Sequence, residues 1–474
     1  MDIINRGNIT AECPHYIHIK DYLGKNVHFV GVGGISMSAL AEILLSKGYN
    51  VSGSDMSDSS LLKKLATKGA TIYLGHDPSY INSADIVVYT AAVKNDNPEI
   101  LEASRKNLPI LQRAELLGQI MQTFPVSIGV SGSHGKTTTT SMITMAMLKA
   151  GLDPTVLIGG ELNDIGGNVR IGQSPYFITE ACEYVGSFLH FYPYIAVILN
   201  IDRDHLDYFK DIDHIYDYFM KFARLVPTDG YVVGCIDDPL VEKLMSEISC
   251  NTISYGITKK ADLNVKTVEY DINACASFEA IYKGQILGNF SLNVPGRHNI
   301  YNALATLATF KAMGIPANEI QEALQQYTGT KRRFEYKGNY KSIAIVDDYA
   351  HHPTEIAATL STARNLPYNK IWCVFQPHTY TRTKKLFSEF VTALSGIDHV
   401  IITDIYSARE KDTHEIHSRQ LSDAISNTGE NCVYISSFDE IVDYLNNNAH
   451  PGDLVITMGA GDVHVVGEKL LMMI

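Results

Sequence analysis

Gly132-Ser133-His134-Gly135-Lys136-Thr137 combines the residue types that hold a nucleotide phosphate. Val126–Val130 before it reads as a strand, Ser131–Gly135 as a loop, and Lys136–Lys149 as a helix ended by Gly151. In that setting backbone N–H groups and the helix N-terminus face an anion, Lys136 reaches the β- and γ-phosphates, and the Thr137 hydroxyl can hold Mg²⁺. The motif is shorter than G-x-x-x-x-G-K-[ST], because Val130 stands where the first glycine would be. Gly132 to Thr137, with Thr138 behind them, are the expected ATP-phosphate residues.

Other chemistry-bearing residues sit at the ends of apolar runs. Glu180 closes Tyr176–Thr179, and His205 follows Tyr194–Asn200. Ligand sites gather at the carboxyl ends of parallel strands, so both can face the phosphate loop. A carboxylate with an imidazole suits a divalent cation that bridges ATP and an acyl acceptor. The competing reading makes His205 a loop cap and Glu183 a solvated charge. His298, Asn299 and Asn302 open a helix after Val294-Pro-Gly; asparagine there can read an adenine edge or cap the helix. Arg333 follows a hinge at Thr330-Lys331 and can reach ATP phosphates, where a surface ion pair is the plainer alternative. Asp348 ends a strand and can touch ribose or a phosphate-bound metal. Gly31-Val-Gly33-Gly34-Ile35-Ser36 has Ser36 in place of the third glycine of G-x-G-x-x-G. Taken alone it suits a dinucleotide dehydrogenase or any diphosphate at a helix N-terminus.

The elements that must position these residues alternate between apolar strands and amphipathic helices, which implies α/β architecture with mostly parallel sheets. Strand patterns recur at Val27–Val30, Asn50–Ser52, Thr71–Leu74 and Asp85–Thr90, with helical spacing at Met37–Leu45 and Leu116–Thr123. Residues 263–294 alternate like antiparallel strands around a turn at Lys283-Gly284, and helices return at Asn299–Met313 and Asn318–Gln326. Further strands are read at Ser342–Val346, Ile371–Phe375, Val400–Thr403 and Leu454–Met458. A chain of 474 residues suggests about three domains, and boundaries fall near residues 120 and 330, giving units of 1–120, 121–330 and 331–474.

Composition narrows the class. A net charge of −13 argues against a general nucleic-acid binder, whose affinity rests on basic patches. Seven cysteines, at 13, 182, 235, 250, 275, 373 and 432, form no C-x-x-C pair, so neither a disulfide framework nor a zinc site is expected. MDIINRGNIT lacks a signal-peptide pattern, and no apolar run reaches the roughly 18–20 residues of a membrane span. A reduced, cytoplasmic protein with no membrane or nucleic-acid partner is expected.

The shortened phosphate loop resembles that of the Mur ligase family. Further signatures keep the family's order along almost the whole chain: Glu180-Ala-Cys-Glu183, Asn200-Ile-Asp-Arg-Asp204-His205, Gly296-Arg-His298-Asn299-x-x-Asn302, Lys331-Arg-Arg333-Phe, Asp347-Asp348-Tyr-Ala-His351-His352-Pro353 and Gln376-Pro-His378-Thr-Tyr-Thr-Arg382. The last two point to the alanine-adding branch. The resemblance implies three domains: an N-terminal Rossmann-like UDP-binding domain, a central P-loop-type ATPase domain and a C-terminal Rossmann-like domain. It implies ATP and Mg²⁺ as cofactors, UDP-N-acetylmuramate and L-alanine as substrates, and amide formation through an acyl phosphate. It implies catalytic roles for Lys136, Glu180, His205 and Arg333, with one Mg²⁺ on Thr137 and a second on Glu180 and His205. His298, Asn299, Asn302, Arg333 and Asp348 would complete the ATP site. Gly31, Gly33, Gly34, Ile35 and Ser36 would take the UDP diphosphate, Ser54, Asp55 and His76 its ribose or base edge, and Asn168 the muramoyl part. His351, His352 and Arg382 would take the amino acid.

The chain departs from the familiar pattern in three places. Cys182 and Tyr184 replace the Asp and Ser of E-A-D-E-S, and Thr379 replaces the first arginine of Q-P-H-R-Y-T-R, leaving Arg382 to hold an amino-acid carboxylate largely alone. Met220 and Lys221 fall where many members carry a carbamoylated lysine, and Lys221 is given no role. Rival readings are a folyl-polyglutamate-type ligase, a nucleotide switch protein and an NAD-dependent dehydrogenase. An N-terminal glycine turn speaks against the first, and the clusters at 347–353 and 376–382 against the second. Nicotinamide fluorescence on titration separates the third.

Overall fold

The structure is a computed structural model that describes residues 17–90, 92–94 and 96–473. Cys13 and the MDIINRGNIT stretch lie outside the described residues. The chain builds three sheets in sequence.

The first has β1 (Asn26–Val30), β2 (Asn50–Asp55), β3 (Thr71–Leu74), β4 (Ile86–Tyr89) and β5 (Ile110–Gln112), all parallel, in the order β3-β2-β1-β4-β5. The strand order reverses beside β1, so a crevice opens at its carboxyl end. Gly31 to Ser36 occupy that point, and helix Ile35–Ser46 begins there.

The second sheet has β6 (Val126–Ser131), β7 (Thr155–Leu162), β8 (Gly167–Arg170), β9 (Tyr176–Glu180), β10 (Ile195–Ile198), β11 (Tyr231–Cys235), β12 (Asn251–Gly256), β13 (Leu263–Tyr270), β14 (Cys275–Tyr282) and β15 (Gln285–Pro295). Its order is β15-β14-β13-β12-β11-β10-β6-β9-β7-β8. β6 lies between β10 and β9, parallel to both, which brings the ends of three strands to one edge. The alternating run at 263–294 becomes the antiparallel pairs β13–β14 and β14–β15.

The third sheet has β16 (Glu335–Tyr340), β17 (Ile343–Asp348), β18 (Ile371–Phe375), β19 (His399–Ile402), β20 (Cys432–Tyr434) and β21 (Leu454–Met458), ordered β16-β17-β21-β18-β19-β20. Only β16 runs antiparallel to its neighbour. The central strands of each sheet are buried on both faces, which accounts for near-continuous apolar runs such as Ile371–Phe375. Among the described residues no helix is long and apolar enough to cross a membrane, and six cysteines are free thiols.

Candidate active site

The phosphate loop leaves β6 and enters helix Lys136–Lys149. Gly135 is its N-cap at φ +85°, and a Cβ there would lie 2.9 Å from Asn302 Oδ1. Gly132 has φ +142°, and its Cβ would meet Leu199 Cβ at 2.9 Å. Both positions therefore require glycine for conformation and for space. Asn200, just past β10, pins the loop: the Ser133 N–H donates to its carbonyl at 3.2 Å and the His134 N–H to its Oδ1 at 2.8 Å.

Lys136 Nζ donates to the Gly132 and Ser133 carbonyls and reaches Glu183 at 3.2 Å. Burial opposes its charge, but Glu183 and its neighbours raise the ammonium pKa above its usual value. His205 Nε2 stands 3.6 Å from the same Glu183 carboxylate. Its backbone is left-handed at φ 51°, and its N–H donates to Asp204 Oδ1 at 2.6 Å. Burial works against a charged His205, yet Asp204, Cys182 and Glu183 outweigh it and raise the pKa to about 9. Glu183, 2% exposed, is thus a paired counter-ion and not a solvated charge.

Glu180 ends β9 and turns toward β7, where its Oε1 accepts the Gly159 N–H at 2.7 Å. A Cβ on Gly159 would lie 2.8 Å from Oε2, and one on Gly160 would lie 3.1 Å from Thr137 Cγ2. The glycine pair of β7 is therefore the wall against which Thr137 and Glu180 both rest. Sequence reading gave Gly159-Gly160 no part; two adjacent glycines inside a strand were the available signal. Among the described residues no hydrogen bond or ion pair joins Glu180 to His205: one is held by β7, the other by Glu183 and Asp204.

A cleft of about 960 Å³ separates the second sheet from the third. His134, Thr138, Asn299 and Asn302 line one side, and Arg333, Asp348, Thr354 and Glu355 the other. His298 is on the lining too, its pKa lowered to about 4 by burial. Asn299 is committed within the protein, Nδ2 donating to Pro295 O at 2.8 Å and Oδ1 accepting from Asn302 Nδ2 at 2.9 Å. Neither asparagine is a cap, since Arg297 is the N-cap and makes no side-chain cap bond. Of the two hinge arginines, Arg332 is bound to Asp347 at 3.0 Å and to Gly459 O. Arg333 lies over the Tyr349 ring, centroid 5.0 Å away, lines the cleft, and acts on the charges of Asp348 and Glu355. Asp348 accepts from the Phe334 and Ala350 N–H groups, and burial pushes its carboxyl up to about 6.

The cleft is latched by Asp202, Thr354 and Glu355, which sequence reading did not pick out, together with His134 and His352, which it assigned to ATP and to the amino acid. His134 Nε2 lies 2.9 Å from Asp202 Oδ2, and its Nδ1 lies 3.3 Å from Glu355 Oε1 without hydrogen-bond alignment. Burial disfavours the imidazolium, but Asp202 and Glu355 prevail and raise its pKa to about 9. Thr354 Oγ1 donates to Asp202 Oδ2 at 2.7 Å, and His352 Nε2 to Arg203 O at 3.1 Å. His352 also N-caps helix Pro353–Ala363. His351 Nδ1 lies 3.3 Å from Glu355, and burial lowers its pKa to about 3.

Arg382 has a different first partner from the one its motif suggests. Nε and Nη2 both donate to Asp204 Oδ1, at 3.1 and 2.7 Å, and Nη1 meets His378 Nδ1 at 3.1 Å. Thr379 at φ 66° caps the helix Tyr380–Lys385 through the Arg382 N–H. The guanidinium is buried across the domain junction and is not an open carboxylate receptor as it stands.

In the first sheet, Asp55 Oδ2 accepts the Gly33 N–H at 2.8 Å, so it braces the glycine turn. Ser54 is fully buried and donates to Glu99 at 2.8 Å, while His76 Nδ1 lies 2.6 Å from the same carboxylate. Ser54 is thus closed to a ligand in this arrangement, and Glu99, bonded also to His28 at 2.7 Å, organises the edge. Asn168 Nδ2 donates to Ile35 O at 3.0 Å, tying the second sheet to the glycine turn. Lys221 lies over the Tyr218 ring, on the helix Ile212–Ala223.

Three units meeting at a phosphate loop, with a glycine turn on one side and an arginine-bearing hinge on the other, define a three-domain nucleotide-dependent enzyme. Family models agree along the chain: Mur ligase family, catalytic domain, at residues 26–125; Mur ligase middle domain at 130–310; and Mur ligase, glutamate ligase domain, at 332–461. The UDP-N-acetylmuramate–L-alanine ligase of Acetivibrio thermocellus is 56% identical over 448 residues, 94% of this chain and 96% of its own length. That of Clostridium beijerinckii is 53% identical over 457 residues, covering 96% and 99%. The solved UDP-N-acetylmuramate-alanine ligase of Thermotoga maritima superposes with a TM-score of 0.79 at 28% identity, over 94% of this chain and 98% of its own. A murein peptide ligase from Psychrobacter arcticus shares the fold, with a TM-score of 0.70 at 24% identity over 95% and 98%. The chain belongs to the Mur ligase family.

Proposed function

We propose that this enzyme joins L-alanine to the carboxylate of UDP-N-acetylmuramate, converting ATP to ADP and phosphate, in peptidoglycan synthesis in the cytoplasm. The observation that carries the reading is identity above half to ligases of that name over nearly the full length of both chains. In this reading residues 1–120 take the UDP-sugar, 121–330 ATP and 331–474 the amino acid.

A free carboxylate is a poor acyl donor, so its oxygen first attacks the γ-phosphorus and ADP leaves. Lys136 and Arg333 offset the charge that develops on the transferred group. Lys136 Nζ is held by two loop carbonyls and Glu183, so the ammonium is poised at the loop. The L-alanine amine then attacks the acyl phosphate, the amide C–N bond forms, and phosphate leaves. Closure of the His134–Asp202–Thr354 latch would keep water from the hydrolysable intermediate.

Mg²⁺ belongs to the same proposal, and the residues suit it. Thr137 and Glu180 share the Gly159-Gly160 wall, and His205 with Glu183 stands near Lys136. Such hydroxyl, carboxylate and imidazole donors would hold the ion, which supplies charge neutralisation at the phosphoryl oxygens when bound. A coupled assay tests the function: ADP release should require UDP-N-acetylmuramate and L-alanine together. Release without either acceptor, or with NADH oxidation in place of ATP use, would overturn the assignment.

A further inference from the structure

Arg113 opens the helix Arg113–Met121 directly after β5. Its Nη1 donates to Ser36 Oγ at 2.9 Å, in the first turn of the helix that the glycine loop begins. The Cys182 side chain is near enough to act electrostatically on both Arg113 and Lys136. The guanidinium is thus held at the glycine turn of the first sheet, within electrostatic range of the segment that follows β9 of the second. It is partly shielded from solvent, and burial lowers its pKa. No carboxylate among the described residues lies within ion-pair distance of it; the one hydrogen bond it makes goes to a neutral hydroxyl. Arg332, Arg382 and Arg203 each have an acidic partner. A guanidinium with donors to spare and no counter-ion is costly to shield unless an anion arrives.

The surroundings favour an anion as well. The first backbone N–H groups of helix Ile35–Ser46 open at the same place. Asn168 fastens that turn to β8 through Ile35 O, which fixes the gap between the two sheets.

We propose that Arg113 is a binding residue for an anionic oxygen of the sugar nucleotide where it passes from the glycine turn toward Lys136. This rests on the sugar-nucleotide reading above. The shared chemistry is an oxyanion paired with a planar guanidinium, and its source is either the diphosphate or the lactyl carboxylate of the substrate.

Calorimetric titration of the full chain separates these cases. Arg113→Gln should weaken UDP-N-acetylmuramate binding by roughly ten- to a hundredfold, as expected for a lost charge-assisted contact, and leave ATP binding unchanged. UDP-N-acetylglucosamine has the diphosphate and lacks the lactyl carboxylate. Equal weakening for both sugars assigns the diphosphate; weakening for the muramate alone assigns the carboxylate. Arg113→Lys should recover part of the affinity, because it keeps the charge and loses the fork. Circular dichroism checks the fold; should Arg113→Gln not fold, Arg113→Lys is read alone, a weakened affinity supporting the proposal and an unchanged one refuting it. An unchanged dissociation constant in Arg113→Gln, or a loss confined to ATP, overturns it. If the parent enzyme binds neither sugar, the functional reading itself fails; if parent and variant bind equally well, only the role of Arg113 does.

Discussion

Gly159→Ala isolates the proposed metal carboxylate without changing any charge. Gly159 lies within β7, so alanine is conformationally acceptable there. Its Cβ would stand 2.8 Å from Glu180 Oε2, 3.0 Å from Oε1 and 3.1 Å from Cδ, where ordinary contact begins at 3.4 Å. The carboxylate must retreat by the difference, and the 2.7 Å bond from the Gly159 N–H is lost with it. A hydrogen bond to a charged group is worth about 1.5–3 kcal/mol, which corresponds to roughly a ten- to hundredfold change in an equilibrium constant. Initial rates of ADP release, measured against free Mg²⁺ at saturating substrates, should therefore shift to higher Mg²⁺ by about that factor. Glu180→Gln should shift them in the same direction. Gly160→Ala presses instead on the methyl groups of Thr137 and Thr330 at 3.1 and 3.3 Å; because Thr137 is the other proposed metal ligand, it should also shift the Mg²⁺ dependence. A Gly159→Ala titration that superimposes on the parent would show that the position of Glu180 does not govern the metal.

Lys136→Ala should lower turnover by on the order of 10³-fold, the effect of removing a positioned phosphate cation, as read by steady-state ADP release from folded enzyme. Arg382→Ala should raise the KM for L-alanine about ten- to a hundredfold with little change for ATP. Because Arg382 also neutralises buried Asp204, Asp204→Asn on that background should recover thermal stability and leave the L-alanine defect in place. The His134 latch should open in alkali. A raised pKa means its stabilisation is full below the unfolded value of about 6.5 and is lost as pH rises through about 9. Small-angle scattering at neutral pH and above pH 9 should show an expansion that His134→Gln no longer shows.

Periodicity located most of the framework, because strands buried on both faces leave unbroken apolar runs; Ile371–Phe375 and Leu454–Met458 coincide with β18 and β21. Short or mixed strands were not legible. β7 carries two glycines, and β20 is three residues long. The phosphate loop was readable because its chemistry is local, fixed by glycine conformation and one helix N-terminus. The latch was not, because His134 meets Asp202 only once β6 and β10 pair, and Thr354 and Glu355 join them only after the second and third sheets meet. The same holds for Asp204, whose partner Arg382 lies 178 positions away. Motif spacing could name Arg382 but not say that its guanidinium was already engaged.

The most direct test of the chemistry follows an oxygen atom. UDP-N-acetylmuramate carrying ¹⁸O in its lactyl carboxylate should pass one label to inorganic phosphate for each amide formed, because the carboxylate oxygen that attacks the γ-phosphorus departs with it. Mass spectrometry of the phosphate and the sugar-nucleotide product reads both fates. One label in phosphate, one retained in the amide carbonyl, and ADP as the nucleotide product are the expected result. Label in AMP, or phosphate that carries no ¹⁸O, would contradict the acyl-phosphate account.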